Sequence, residues 1–170
     1  VFNANSVPTS VLTAVQMDQI ADYFTHRRAL HHLSKRRVVI IGGGTARPYL
    51  TTDTASVNLA LELDCDAVVK VTKVDGVYTK DPAKFPDAEK VVEMDFNRAV
   101  SDPEIMVMDK AALGLAMENG KKIVVCDLAT PGNLLKRVSG EHVGTAPAPA
   151  RAIDKGLAKA LLDCWIAFCR

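Results

Sequence analysis

The chain has 170 residues, 48% of them apolar, which is enough for one domain with a core of its own. Aromatics make up only 5%, so that core must come from Val, Leu, Ile, Ala and Met, a bias that suits buried parallel strands under helices. A net charge of +1 excludes a general nucleic-acid footprint, and no stretch approaches the roughly 20 apolar residues that span a bilayer.

Val1–Ser10 lacks the charged and apolar regions of a secretory signal. Cys65, Cys126, Cys164 and Cys169 form no C-x-x-C pair and read as reduced thiols of a cytoplasmic protein, with no metal site. Val11–Val15 is a short apolar run that predicts a strand. Asp18 then reads as the cap of a helix to about Leu33, with Ile20, Tyr23, Phe24, Arg27 and Leu30 at helical spacing. Its polar side carries His26, Arg28, His31, His32, Lys35, Arg36 and Arg37, which is either a solvated face or an anion-binding surface.

Val38–Ile41 is a β-branched run that predicts a buried strand ending in the turn Gly42-Gly43-Gly44. Thr51-Thr52-Asp53-Thr54 has the composition of a helix N-terminus, and Ala55, Leu59 and Leu63 carry that helix onward. Ala67–Thr72 predicts the next strand, followed by a turn at Asp75-Gly76 and a loop at Pro82 and Pro86. Asp95–Val100 predicts a short helix. Asp109 should cap a better one, Lys110–Glu118, stopped by Asn119-Gly120. Ile123–Asp127 is a further buried strand, and Pro131 sits where another helix would begin. This alternation predicts a three-layer α/β/α sandwich with a largely parallel sheet. The organised part is expected to span residues 1–145, with an Ala/Pro linker at 146–152. An amphipathic, dispensable helix is expected at 153–170, with Ile153, Leu157, Leu161, Trp165 and Phe168 on one face.

Three constellations carry candidate chemistry. In the first, a strand feeds a glycine turn and then a helix N-terminus, where free amides and the hydroxyls of Thr45, Thr51 and Thr52 suit a phosphate or carboxylate. A dinucleotide fingerprint fails because Arg47 stands where a glycine is needed, and no G-K-[ST] is present for a Walker loop. On glycines alone, a purely structural turn reads equally well. The second runs from Lys70 to Pro82 and puts polar groups past the carboxyl end of a strand, where open α/β sheets bind ligands. A surface β-turn is the plain alternative. The third is Met106-Val107-Met108-Asp109, where the Asp is either a helix cap or a carboxylate facing a reaction centre.

In their order and spacing these segments resemble the uridylate (UMP) kinase family of the amino-acid-kinase superfamily. That family carries a glycine turn and T-x-x-P-x-x-T-T-D-[ST]-A, then K-x-T-K-V-D-G-V-[YF]-x-x-D-P, then V-M-D, then P-G-N-L and G-E-x-x-G-T. Thr45–Ala55, Lys70–Pro82, Val107–Asp109, Pro131–Leu134 and Gly140–Thr145 supply them here. The resemblance covers about residues 11–145 and implies phosphoryl transfer from MgATP to UMP, giving UDP in pyrimidine biosynthesis. It implies that Gly44, Thr45, Ala46, Arg47, Pro48, Tyr49, Leu50, Thr51 and Thr52 hold UMP. Lys70, Thr72, Lys73, Tyr78 and Asp81 would line the ATP site, and Asp109 would be the catalytic acidic residue near the phosphates. Ala46-Arg47 departs from the family's Gly-Asn.

The family's opening K-L-S-G-E glycine loop, its G-G-G-N turn and its ribose-reading acid have no match in Val1–Arg170. The N-terminal half of the fold is therefore expected to be absent, and the chain alone to transfer no phosphate. A homo-oligomer, a hexamer in full-length members, is expected too, with neither nucleic acid nor membrane as partner. The alternatives are a superfamily kinase acting on a carboxylate and a non-catalytic nucleotide-binding module.

Overall fold

The computed structural model describes residues 3–72, 76–80, 84–91, 93–103, 105, 108–127, 131–132, 146–147 and 166–167. Strand β1 (Thr9–Thr13) pairs in parallel with β3 (Val38–Gly42) over five residues, Thr13 standing opposite Gly42. The β-branched run of β3 forms for the reason read from its sequence: Val39 and Ile41 are fully buried, and each such side chain contributes about 2 kcal/mol through its removal from water. A second parallel pair joins β4 (Ala67–Thr72) to β8 (Lys122–Asp127), with Thr72 opposite Asp127. Ile123, Val124, Val125 and Cys126 are all buried, the unbroken apolar pattern of a strand covered on both faces.

The helix expected from Asp18 begins later. The chain from Met17 to Tyr23 makes a Met17–Ala21 bridge and a short strand β2 (Asp22–Tyr23) that pairs with β1, so α1 covers only His26–Ser34. Thr25 is its cap, its hydroxyl accepting the Arg28 N–H at 3.2 Å, while Ile20 is 78% exposed. Backbone pairing on the free edge of β1 outweighs the helical periodicity of that stretch. Ala29 is the buried residue of α1. At its other end Ser10 Oγ lies 3.1 Å from His32 Nδ1 and accepts from Arg37 Nε at 2.8 Å. Burial first, then the neighbouring Arg37 and His31 cations, hold His32 below its ordinary value.

Helix α2 (Thr52–Glu62) follows β3 and buries Thr54, Ala55, Val57, Leu59 and Ala60. It packs on α4 (Lys110–Glu118), whose Ala112, Leu113 and Ala116 are fully buried. Small residues on both helices permit this close approach. Between them the chain forms the antiparallel hairpin β5 (Val77–Tyr78) and β6 (Lys90–Val91), strand β7 (Glu93–Met94) and helix α3 (Phe96–Ser101), capped by Asp95. Gly120, at φ +60°, ends α4 as expected.

Within the segments read as linker and helix, the structure has two short strands. Strand β9 (Ala146–Pro147) pairs with β7, and β10 (Ile166–Ala167) pairs in parallel with β3 through Val39 and Ile40. At Ile166–Ala167 strand pairing along β3 replaces the expected helix, because an open sheet edge offers backbone partners that an apolar periodicity cannot register. The closing segment Asn133–Thr145, and the helix expected after Pro131, lie outside the described residues; so do Cys164 and Cys169. Cys65 and Cys126 are buried. Among the described residues, no helix is long and apolar enough to cross a membrane.

Candidate functional site

Strands β1 and β3 end side by side, and the chain leaves β3 through a tight turn. Ala14 N–H donates to the Gly42 carbonyl at 2.8 Å, and Ala46 N–H closes the turn on the Gly43 carbonyl at 3.2 Å. Gly43 has φ +91°, a left-handed conformation that glycine adopts without steric cost. Thr13, buried at the end of β1, borders this turn: a Cβ on Gly43 would lie 3.5 Å from its Oγ1. A threonine closing a strand was the available signal for it, and sequence reading passed over it.

The loop that follows is exposed and partly strained. Thr45 Oγ1 accepts the Arg47 N–H at 3.1 Å. Ala46 at φ +52° and Tyr49 at φ +64° occupy the left-handed region, which costs an L-residue on the order of 1–2 kcal/mol. The departure at Ala46 therefore falls on a backbone position made for glycine. Arg47, Pro48 and Leu50 are exposed and the Tyr49 side chain is fully so. Gly44 sits against Thr52, whose Cγ2 would be 3.7 Å from a Cβ there.

Three segments far apart in sequence meet where α2 begins. Thr51 caps the helix, its Oγ1 accepting the Asp53 N–H at 3.0 Å and donating in turn to Asp109 Oδ2. Thr54, buried one turn along, donates to Asp109 at 3.1 Å to Oδ1 and 2.9 Å to Oδ2. Asp109 also caps α4, with Oδ1 accepting the Ala112 N–H at 2.8 Å. Burial raises the Asp109 carboxyl, but the hydrogen bonds from Thr51, Ala112 and Thr54 outweigh it and hold the group below its ordinary value. On the other flank Lys70 Nζ donates to Asp53 Oδ2 at 2.7 Å, a pair with both side chains about three-quarters covered. Lys70 thus meets an anion, as a lysine in a buried strand requires.

The structure accordingly gathers Gly44, Thr51, Thr52, Lys70 and Asp109 around one helix start, while the Thr45 hydroxyl bonds to Arg47 in the loop before it. Thr72 ends β4, half-buried and opposite Asp127, which is buried at the end of β8. Sequence reading took Asp127 only as the end of a strand; an acid ending an apolar run was the signal. Tyr78 is half-buried on β5, paired with Lys90. Lys73 and Asp81 lie outside the described residues, as do Met106 and Val107. Among the described residues no three His, Cys, Asp or Glu side chains converge as a metal site would require.

Similarity to known proteins fits this geometry. The amino acid kinase family model matches residues 1–127. A uridylate kinase of Wolinella succinogenes is 46% identical over 132 residues, 78% of this chain and 54% of that protein. The crystal structure of UMP kinase from Bacillus anthracis superposes with a TM-score of 0.81 at 34% identity, covering 87% of this chain and 61% of that one. UMP kinase from Ureaplasma parvum gives 0.79 at 28% identity, over 86% and 63%. The chain spans about half the length of the curated relative it matches. With residues 1–127 of 170 matched by the family model and a backbone that superposes on UMP kinase structures, the chain belongs to the amino acid kinase family.

Proposed function

We propose that this chain is the acceptor-binding and nucleotide-binding portion of a uridylate kinase, which transfers the γ-phosphoryl group of ATP to UMP. The observation that carries the proposal is the joining of Thr51, Thr54 and Asp109 at the start of α2, directly after the glycine loop and beside Lys70. The Thr52 hydroxyl has no hydrogen-bond partner among the described residues, whereas its neighbours Thr51 and Thr54 are engaged. Thr52 is therefore the hydroxyl of this turn available to an anion. With the α2 amides and the loop Gly44–Thr52 it forms the proposed UMP phosphate site. Thr72, Tyr78 and, by resemblance, Lys73 and Asp81 form the proposed ATP side.

The chemistry asks little beyond placement. A phosphate monoester has its second pKa near 6, so the acceptor oxygen already carries an electron pair at neutral pH. That oxygen bonds to the γ-phosphorus, the bond from phosphorus to the ADP oxygen breaks, and the electron pair leaves with ADP. No proton has to be removed. Asp109, acidic and saturated by three donors, is a poor proton acceptor and suits a role as an anionic brace. The loop amides and Thr52 position the phosphates, with Lys70 held beside them by Asp53, and positioning is the main contribution a protein makes to this reaction.

Magnesium enters as part of the MgATP substrate. Among the described residues the acids of this site do not fit a protein-held ion: Asp109 is already occupied by hydroxyl and amide donors, and Asp53 is paired with Lys70. A homo-oligomer, hexameric by resemblance, and a cytoplasmic location belong to the same proposal, with the two nucleotides rather than nucleic acid or membrane as partners.

Calorimetric titration with UMP, N-acetylglutamate and aspartate tests the reading. UMP alone should bind, and Thr52→Val should weaken it by ~1.5–3 kcal/mol, the worth of a hydrogen bond to a charged group. Binding of a carboxylate acceptor in place of UMP, or equal UMP affinity in the variant, would overturn it. Labelled phosphate transfer from ATP to UMP, measured with an amino-terminal uridylate kinase half added, tests the reaction itself.

A further inference from the structure

Asp109 accepts hydrogen bonds from two different helices. Oδ1 takes the Ala112 amide of α4 and the Thr54 hydroxyl of α2, while Oδ2 takes the hydroxyls of Thr51, the α2 cap, and of Thr54. Of the two hydroxyls, Thr51 is exposed and already serves as the α2 cap. Thr54 is 9% exposed and shares its proton between both carboxylate oxygens at 3.1 and 2.9 Å. A threonine within a helix usually turns its hydroxyl back to a carbonyl of its own turn. Here it points across to the neighbouring helix, and the small residues lining the α2–α4 contact let it reach.

We infer that Thr54 is a positioning residue that acts through Asp109, locking the start of α4 to the start of α2 and thereby fixing the acceptor loop that ends at Thr52. The lock itself is a matter of two helices and one carboxylate; its consequence for UMP rests on the function proposed above. Thr54 sets where the Asp109 charge sits, and Asp109 in turn holds Thr51 and the first α2 amides in place. Removing the Thr54 methyl should matter little, whereas removing its hydroxyl should loosen both helix starts together.

Thr54→Val, which keeps the shape, and Thr54→Ser, which keeps the hydroxyl, separate these effects. Carbon-detected NMR titration reads the Asp109 carboxyl, and amide exchange reads the Ala112 N–H that it caps. In Thr54→Val the Asp109 pKa should move up toward the ordinary carboxylate range and Ala112 should exchange faster; Thr54→Ser should restore both. In an Asp109→Asn background the Thr54→Val change should add less than it does alone, because the two residues form one unit. An unmoved Asp109 titration in Thr54→Val, a failure of Thr54→Ser to rescue, or strict additivity with Asp109→Asn would overturn the inference. UMP titration of the same proteins is a separate arm. Weaker UMP binding in Thr54→Val, restored in Thr54→Ser, is expected. A parent chain that does not bind UMP sinks the proposed function and leaves the lock to be judged by the other two readouts.

Discussion

The end of β3 and the hairpin after β4 are both polar loops past the carboxyl ends of parallel strands, yet they are held in different ways. Around the start of α2, Asp109 meets Thr51 and Thr54 from 58 and 55 residues away, and Lys70 meets Asp53 from 17 away. In the described part of the β5–β6 hairpin, the side-chain contacts of Thr79 and Lys80 are local. Glu89 N–H donates to Thr79 Oγ1 at 3.2 Å and Lys80 reaches Asp87 at 3.4 Å. A region stitched by distant residues loses several contacts when one is removed. A polar side chain closed only on its neighbours, as at Thr79 and Lys80, loses little else. Polar substitutions should therefore cost much more at the α2 start than at these hairpin positions, and that contrast can be broken or sharpened residue by residue.

The largest effect is expected from Asp109→Ala. It removes the α4 cap, worth ~1 kcal/mol, and strips two hydroxyls of a charged acceptor, worth another ~1.5–3 kcal/mol. Urea unfolding should register a loss of about 3 kcal/mol; a loss below ~1 kcal/mol would reduce Asp109 to an ordinary cap. The pH dependence has a definite sign. The folded carboxyl lies below its ordinary value of 3.8, so its stabilisation is complete above that value and is lost as pH falls through the lower folded pKa. Acid unfolding of the parent chain should therefore show a limb below about pH 4 that Asp109→Asn lacks.

A smaller, opposite effect is expected inside the glycine loop. Ala46 is held at φ +52°, and glycine there relieves a strain on the order of 1 kcal/mol, partly offset by the extra freedom it gives the unfolded chain. Ala46→Gly should raise the unfolding midpoint or leave it unchanged. A clear destabilisation would mean that the Ala46 methyl makes a contact worth more than the strain.

The same division between local and distant contacts decided what the sequence revealed. Thr51-Thr52-Asp53-Thr54 was legible as a helix start and Asp109 as a cap because both are written in adjacent residues, and both strands of the β4–β8 pair were legible from their apolar runs. The glycine turn was legible as a turn. That Thr54 would reach Asp109 was not, since a threonine in a helix carries no mark of the helix packed beside it. The stretch after Asp18 was misread because its apolar spacing fits a helix, while its conformation is set by the β1 edge. Strand β10 was missed for a related reason: its partner is the far edge of β3, more than a hundred residues earlier in the chain. Thr13 and Asp127 escaped notice because a single polar residue at a strand end becomes informative only when the neighbouring strand ends beside it.

The smallest effect belongs to the hairpin and sharpens the comparison from below. Lys80 and Asp87 face each other across the β5–β6 connection, with side chains 40% and 71% exposed. Water screens such a pair, and holding two mobile side chains in one geometry offsets much of the attraction, so exposed pairs contribute ~0–1 kcal/mol. Lys80 also lies 5.6 Å from the centre of the Phe85 ring, a contact that survives when the carboxylate is neutralised. Asp87→Asn should therefore cost no more than ~0.5 kcal/mol in urea unfolding, and that small cost should vanish at high salt, where exposed charges are screened. The parallel measurement on Lys70→Met, which leaves the more covered Asp53 carboxylate without its partner, should give the larger and less salt-sensitive loss. Equal losses from the two pairs, both abolished by salt, would mean that the α2 start is as open to water as the hairpin, and that the contrast between the two regions lies in sequence distance alone.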